Sequence, residues 1–311
     1  MDRPYGLLMP TVPDPDLVPF DPPDHPTFRA AFRNIIESYP RALYDEEGLV
    51  RYRTRFLDSV LVSEPELIQR ALTTELDSFP WRFILTSFRA PSWLPYPGRR
   101  RAARACERIY REAARLVAQR RQGPAARGDL LDLLQQARDE ETGRVMTHEE
   151  LVRNLATFML AGHETTAVAL TWTLWLLAKY PHVQDQVAAE AQATIGSGAV
   201  AAQQVERLTF TRQVLQEAMR LYPPAPAISR QPLAPLVLAG EQLTPATQVT
   251  ITIYPLHRNR HVWKHPDSFD PDRFTVDQTK TRPRCAYLPF GAGPRIRPVV
   301  QWTKFELVNN A

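Results

Sequence analysis

Residues 147–179 read THEELVRNLATFMLAGHETTAVALTWTLWLLAK, a largely apolar stretch without a proline. Thr147 and Glu150 have the spacing of a capping box, and Met146 and Leu151 stand where a hydrophobic staple would pack. The stretch therefore predicts one helix of about 33 residues, roughly 50 Å long. We expect a helix that long, apolar on most sides, to run through the interior of a large helical domain.

Helical periodicity on both sides of this segment, with a short alternating portion, predicts a mainly α fold with a minor β portion. Further helices are expected at 100–121, 129–138, 182–194 and 209–221. A strand pair is expected at 49–63, a short helix from Ser63 to near Phe79-Pro80, a hairpin turning at Ala239-Gly240, a strand in TQVTITIY and irregular chain after 255.

Composition narrows the function classes. A hydrophobic content of 44% with 23% charged residues is ordinary for a soluble globular protein. The net charge of +4 is small, and the arginines between 99 and 115 are interpreted first as a solvated helix face, with a docking surface for an acidic electron-transfer protein as the second reading. Since no nucleic-acid motif is present, we expect no nucleic-acid partner.

The cysteine count and the first residues indicate a compartment. Cys106 and Cys285 cannot form a disulfide framework, which suits a reducing cytoplasm. The opening sequence MDRPYGLLMP has no apolar core for a secretion signal or a membrane anchor. We therefore expect a cytoplasmic protein without a membrane anchor.

A polar hexapeptide, residues 161–166 (AGHETT), interrupts the apolar sequence of the long helix. Gly162 removes a side chain where a flat ligand could approach, and the Thr165 hydroxyl can bond back to the Ala161 carbonyl and locally open the helix. Glu164 and Thr165 could pass protons to a bound oxygen species. A solvated polar notch or a kink at a packing contact explains the hexapeptide equally well.

Glu217 and Arg220 place opposite charges three residues apart on one helix. A surface ion pair of little energetic value is the default interpretation of such a pair. Here the flanking residues are apolar and Tyr222-Pro223-Pro224 ends the helix sharply, which favours a partly buried pair with a third partner. Arg273 is the candidate partner.

A glycine-rich loop near the C-terminus completes a set of four motifs, Phe290-Gly291-Ala292-Gly293-Pro294-Arg295-Ile296-Arg297. The ordered set Ala-Gly-x-Glu-Thr-Thr, Glu-x-x-Arg, Pro-Asp-Arg-Phe and Phe-Gly-x-Gly-x-Arg resembles the cytochrome P-450 superfamily of heme-thiolate monooxygenases. Each motif alone is weak, and the ordered set is specific. The resemblance covers about 90–296 as helical core and heme-loop region, and 27–80 is similar to the family's N-terminal β region. One domain over 1–311 is therefore expected, with a divergent tail at 297–311.

The resemblance implies a heme- and iron-dependent oxidoreductase that inserts one atom of dioxygen into an apolar small-molecule substrate. Electrons would come from a ferredoxin or a flavin reductase. It implies catalytic roles for Glu164 and Thr165, and a charge network of Glu217, Arg220 and Arg273 that supports the heme face. It implies cofactor contacts from Ala161, Gly162, Arg230, Phe290, Gly291, Gly293 and Arg295, with Arg230 and Arg295 on the heme propionates.

The positions at which the sequence departs from the family are as informative as those at which it matches. The axial cysteine position is Arg297, and an arginine has no lone pair to donate to iron, so no metal ligand is assigned. Cys285 lies five residues before Phe290 and is expected to be a small buried residue. Only 66 residues separate Pro80 from Thr147, too few for the helices that normally cover the heme. We expect an internally shortened, C-terminally truncated copy that is inactive as written and binds heme weakly or not at all.

An alternative from another class is a non-catalytic helical remnant that binds apolar ligands or a partner protein. An unrelated helical protein would require the four ordered motifs to be a coincidence.

Overall fold

The computed structural model describes residues 39–45, 48–53, 58–74, 99–122, 128–139, 142–198, 200–232 and 234–292. The α-helices are α1 Pro65–Gln69, α2 Arg99–Gln122, α3 Leu130–Gln136, α4 His148–Lys179, α5 Pro181–Thr194, α6 Ala202–Val205, α7 Thr209–Leu221, α8 Ile253–Leu256 and α9 Val276–Lys280. A π-helical turn, Arg70–Thr74, continues α1, and two 3-10 turns span Arg41–Leu43 and Pro271–Phe274. The strands are β1 Leu49–Arg53, β2 Asp58–Val62, β3 Ala227–Arg230, β4 Leu236–Leu238, β5 Glu241–Leu243 and β6 Gln248–Thr252. The predicted class, mainly α with a minor β portion, is confirmed.

The sequence-based expectation of irregular chain after 255 holds for most of the described residues but needs a correction, because single helical turns interrupt it. Residue 253 already starts α8, and Pro271–Phe274 and α9 follow. These elements are single turns closed by local bonds, such as the Asp270 side chain accepting from Asp272 N at 3.1 Å. Because they are shorter than one amphipathic repeat, they leave no periodicity in the sequence.

The chain divides into two compact units, Arg89–Thr165 and a larger unit made of Met1–Phe88 and Thr166–Ala311. In the smaller unit, α2, α3 and the first half of α4 bury a core of Ala113, Val117, Leu131, Leu134, Leu151, Leu155 and Ala156. None of the helices in the described part of the chain is both long and apolar enough to cross a membrane. The expectation of a single domain over 1–311 stays a prediction.

The start of α4 matches the sequence-based prediction. The Glu150 carboxylate accepts from Thr147 N at 2.8 Å, and Glu150 N donates to the Thr147 hydroxyl at 3.3 Å. Met146 packs against the cluster that contains Leu151. Arg144 adds a bidentate ion pair to Glu150, and this contact is the first cause that lowers the Glu150 pKa to about 2. The capping box and the staple are therefore both formed.

The larger unit is built on a four-stranded sheet of order β1-β2-β6-β3. β2 and β6 run parallel, while β1 pairs with β2 and β3 pairs with β6 in the antiparallel sense. The strands bury Val60, Val62, Val249 and Ile251 in one core with α1 and with Leu288. The sheet therefore contacts the chain just before the loop at Phe290.

The second half of α4 packs on α7 in the larger unit. Leu176 is fully buried beside Val214 and Ala218. Trp172 stacks on Tyr222 with ring centroids 4.2 Å apart and 12° between the ring planes. This contact holds the C-terminal end of α7, where Glu217 and Arg220 lie.

We expect Gly48→Ala to destabilise the fold strongly. Gly48 has a φ of +52°, and an added Cβ would lie 2.6 Å from Glu64 Cβ and 3.0 Å from Glu64 N. The left-handed backbone alone costs a non-glycine residue about 1–2 kcal/mol, and the clash adds to this loss. Gly240→Ala is the matched control because Gly240 has a φ of +81° and open space around it. Stability is measured by denaturant unfolding. If both variants lost the same free energy of unfolding, the clash with Glu64 would not contribute.

Candidate functional site

Glu217 and Arg220 form a fully buried ion pair on α7. Arg220 Nε donates to Glu217 Oε2 at 2.7 Å, and Nη2 donates to Oε1 at 2.8 Å. Backbone carbonyls accept the other three N–H groups of Arg220: His257 at 2.8 Å, Pro266 at 2.6 Å and Ser268 at 3.1 Å. Since a guanidinium has five N–H donors, all of its donors are satisfied. The pair is therefore tied to the irregular chain that leads toward the loop.

Arg273 joins the pair from the Pro271–Phe274 turn. Its Nε lies 3.4 Å from Glu217 Oε1, an ion-pair distance without hydrogen-bond geometry. Asp270 N donates to the same carboxylate oxygen at 3.0 Å. The structure thus brings Glu217, Arg220 and Arg273 together around one carboxylate.

Sequence reasoning missed an aromatic wall beside this cluster. The guanidinium of Arg220 lies 5.0 Å from the Trp263 ring centroid, and that of Arg282 lies 4.3 Å from the same centroid. Burial lowers the pKa of Arg282, which is also 4.6 Å from the Phe274 ring. The only signal in the sequence was a tryptophan in a segment without periodicity.

His257 was also missed by sequence reasoning. Its side chain is fully buried, and Nε2 accepts a hydrogen bond from Leu288 N at 2.8 Å. The imidazole stacks on Tyr287 with centroids 5.1 Å apart, and the Tyr287 hydroxyl donates to Gln216 O at 2.9 Å. A histidine following the apolar residues of α8 was the available signal, and a core histidine was its plain interpretation.

The loop begins as a tight turn at Leu288. Gly291 N donates to Leu288 O at 3.2 Å, and Gly291 has a φ of +79°. An added Cβ at Gly291 would meet only Ile228 Cδ1 at 3.7 Å, so backbone conformation rather than space requires the glycine. Phe290 is half-buried. Gly293, Arg295, Arg297 and the tail 297–311 lie outside the described residues.

Arg230 lies at the end of β3, the strand whose Ile228 faces Gly291. Its side chain is buried and Nη1 donates to Ser229 O at 3.0 Å. A buried guanidinium is suited to bidentate pairing with a carboxylate. The structure therefore places Arg230 on the strand that adjoins the start of the loop.

The polar hexapeptide of α4 is largely exposed, so the expectation that the whole of this long helix runs through the interior is wrong for its middle. Ala161, His163 and Glu164 are exposed, while Gly162 and Thr165 are partly exposed. The two ends of α4 pack on separate clusters, and the described residues leave its middle uncovered. Ala161, Gly162, Glu164 and Thr165 belong to the smaller unit.

The expected bond from the Thr165 hydroxyl to the Ala161 carbonyl is present at 2.6 Å. Thr157, Thr171 and Thr173 make the same bond to the carbonyl four residues back, at 2.8, 2.7 and 2.7 Å. The helix stays continuous through all four positions. This bond alone therefore does not distinguish a catalytic threonine from a threonine that back-bonds within a helix.

The residues of this chain include a cation suited to the carboxylates of a heme, but the expected ligand position offers no donor to its iron. Arg230 offers a buried cation for a carboxylate, but the side chain at the expected ligand position, Arg297, has no lone pair. Cys285 is half-buried against the sheet core, and burial raises its pKa, which disfavours the thiolate form. Within the described ranges, no cluster of three or more His, Cys, Asp or Glu side chains could hold a metal ion.

We expect the stability of the protein to fall below pH 6.5 because of His257. Burial first, and then the nearby Arg220 and Arg258, hold the pKa of His257 well below its ordinary value of 6.5. Below that value the unfolded chain takes up a proton that the folded protein does not. Stability then falls by up to about 1.4 kcal/mol per pH unit until the folded pKa is reached. The free energy of unfolding, measured with denaturant at several pH values in this range, should depend less steeply on pH in His257→Gln than in the unmodified chain. An equal pH dependence in the two proteins would contradict the prediction.

The comparison with protein families gives one match, the family described as Cytochrome P450, over residues 48–296. Cyclooctatin synthase of Streptomyces melanosporofaciens is 43% identical over 169 residues, which are 54% of this chain and 37% of that protein. Cyclooctat-9-en-7-ol 5-monooxygenase of the same organism is 36% identical over 200 residues, which are 64% of this chain and 44% of that protein. The chain spans less than half the length of these two relatives.

The fold is similar to that of solved structures. Retinoic acid bound cyanobacterial CYP120A1 superposes with a TM-score of 0.73 at 18% sequence identity. The superposition covers 84% of this chain and 83% of that chain. At this level of identity the likeness shows the fold alone.

Proposed function

This chain belongs to the cytochrome P450 family, and from that premise we propose that it is a heme-dependent monooxygenase by descent. An intact form would insert one atom of dioxygen into an apolar organic substrate. The observation that supports this most is the buried cluster of Glu217, Arg220 and Arg273. Arg220 donates to the His257 carbonyl, and His257 Nε2 accepts from Leu288 N at the entry of the loop. When bound, heme supplies the iron at which dioxygen is activated, and a thiolate ligand favours O–O cleavage.

The proposed roles of the other residues follow from their chemistry. Arg230 and Arg295 hold carboxylates of the heme, and Phe290, Gly291 and Gly293 shape the loop. Ala161 and Gly162 leave room for a flat ligand. Glu164 and Thr165 hold and move protons at a bound ligand, through the Glu164 carboxylate and the Thr165 hydroxyl. These groups act within a single domain over 1–311.

Arg297 limits the proposed activity. A guanidinium places a positive charge where iron needs an electron-donating ligand. We infer that the chain as written associates with heme weakly and is impaired as an oxygenase. The proposed partners of an intact form are an apolar small molecule and, as electron donor, a ferredoxin or a flavin reductase. The proposed compartment is the cytoplasm.

A second candidate function is supported by the exposed apolar side chains of α4. Met159 and Leu160 are neighbours on this helix and are 37% and 55% exposed. Such side chains favour binding of apolar ligands or of a partner protein without catalysis. In this alternative the buried charge cluster is only structural.

Hemin titration followed by Soret absorption tests the two candidates. The proposed function expects saturable binding that is tighter for Arg297→Cys than for the chain as written. Arg212→Cys is the matched control because it makes the same substitution at an exposed arginine of the larger unit. If neither the chain nor Arg297→Cys binds hemin saturably, the heme-based proposal is wrong. The alternative then expects saturable binding of an apolar fluorescent probe that Leu160→Asp weakens.

A further inference from the structure

His257 connects two parts of the site that are far apart in sequence. Its backbone carbonyl accepts from Arg220 Nη1 at 2.8 Å, and its Nε2 accepts from Leu288 N at 2.8 Å. Leu288 O in turn accepts from Gly291 N at 3.2 Å. An unbroken series of hydrogen bonds and covalent links therefore runs from Glu217 to Gly291.

The bond from Leu288 fixes the tautomer of the imidazole. A backbone N–H donates, so Nε2 must present its lone pair and the ring proton of the neutral form must be on Nδ1. The ring cannot turn freely, because Tyr287 stacks on it and Trp263 lies edge-on with centroids 6.5 Å apart. His257 thus offers Leu288 a rigid acceptor in a fully buried place.

Without His257, the Leu288 amide would need a substitute acceptor such as a water molecule. Leu288 is itself buried and packs in the sheet core, so a water molecule could reach its N–H only if the chain opened there. A buried donor that loses its acceptor carries the full desolvation penalty. The position of Leu288 is therefore coupled to the presence of an acceptor at His257 Nε2.

We propose that His257 is a positioning residue that fixes the entry of the loop, Leu288–Gly291, to the buried Glu217–Arg220 pair. The hydrogen bond, and not the volume of the ring, carries this role. The importance of the loop for heme rests on the proposed function, whereas the positioning itself is a property of the chain without heme.

Two variants separate the acceptor from the ring. His257→Phe keeps a flat ring that can stack on Tyr287 but removes the acceptor. His257→Gln removes the ring but retains an oxygen acceptor at a similar reach. Amide hydrogen exchange is measured at Leu288 and, as a control in the same unit, at Ile251, which lies in β6. In His257→Phe, Leu288 should lose roughly 5- to 150-fold in protection relative to Ile251.

Rescue is the decisive part of the exchange experiment. His257→Gln should restore most of the relative protection of Leu288. If His257→Phe changes Leu288 and Ile251 by the same factor, or if His257→Gln is no better than His257→Phe, the ring only fills space and the proposal is overturned.

A measurement on the unmodified chain covers the case in which His257→Phe does not fold. Nuclear magnetic resonance with ¹⁵N-labelled histidine should find His257 with its proton on Nδ1 and a through-bond coupling from the Leu288 amide proton to Nε2. A proton on Nε2 would overturn the proposal. Both readouts use heme-free protein, so they can fail or succeed independently of the hemin titration.

Discussion

Glu217→Ala is expected to lower the free energy of unfolding by about 3–5 kcal/mol, the usual cost of removing one member of a buried ion pair. The substitution leaves the Arg220 guanidinium without its counter-charge in a place that water does not reach. It also removes the acceptor of Asp270 N and the anion next to Arg273. Three groups lose the same partner, so the effect should be among the largest for a single side chain.

The chain contains its own matched control for this experiment. Glu112 and Arg115 have the same spacing on α2, with hydrogen bonds of 3.1 and 2.9 Å, but both side chains are about half exposed. Glu112→Ala should leave the unfolding midpoint within experimental error. If Glu217→Ala were as mild as Glu112→Ala, the buried network would not be a stabilising unit.

The reduced, hemin-reconstituted chain is not expected to show the carbon monoxide difference spectrum of a thiolate-ligated ferrous heme. Loss of a partner of a metal ligand already costs about 10- to 100-fold in metal affinity, and Arg297 replaces the ligand itself. The loss of heme affinity should therefore exceed about 10- to 100-fold. The heme that still associates would be held through Arg230 and the remaining loop. The measurement is the difference spectrum of the reduced sample with and without carbon monoxide.

Cys285→Ser is the control for a substitute ligand. Its thiol is half-buried on the approach to the loop, and burial raises its pKa, which disfavours the thiolate that iron needs. The variant should give the same spectrum as the unmodified chain. A thiolate-type spectrum that disappears in Cys285→Ser would mean that Cys285 has taken over the ligand position.

Much of the fold could be predicted because its signals are local. The capping box at Thr147, the length of α4 and the hairpin at Ala239-Gly240 depend on residues within one or two turns of each other. The exposure of the hexapeptide could not be decided from the sequence, because it depends on what covers the helix. Apolar sequence alone does not say whether neighbours exist to bury it.

The candidate site was predictable only where side chains pair with side chains. Glu217 and Arg220 were paired from their charges and spacing, and Arg273 was named as the candidate third partner. Three acceptors of Arg220 are backbone carbonyls, at His257, Pro266 and Ser268, and every residue type has such a carbonyl. The role of His257 was hidden for the same reason, since its Nε2 binds the main chain of Leu288.

Trp263 gives the molecule a built-in optical probe. Its indole is 3% exposed, its N–H donates to Leu256 O at 3.1 Å, and the guanidinium groups of Arg220 and Arg282 lie over its ring. Cations close to the ring shift the energy of its excited state, and the surrounding protein keeps dissolved quenchers away. Loosening of the charge cluster would therefore change the emission of this one side chain before the helices unfold. With the other tryptophans replaced by phenylalanine, fluorescence could follow the cluster in real time without an added label.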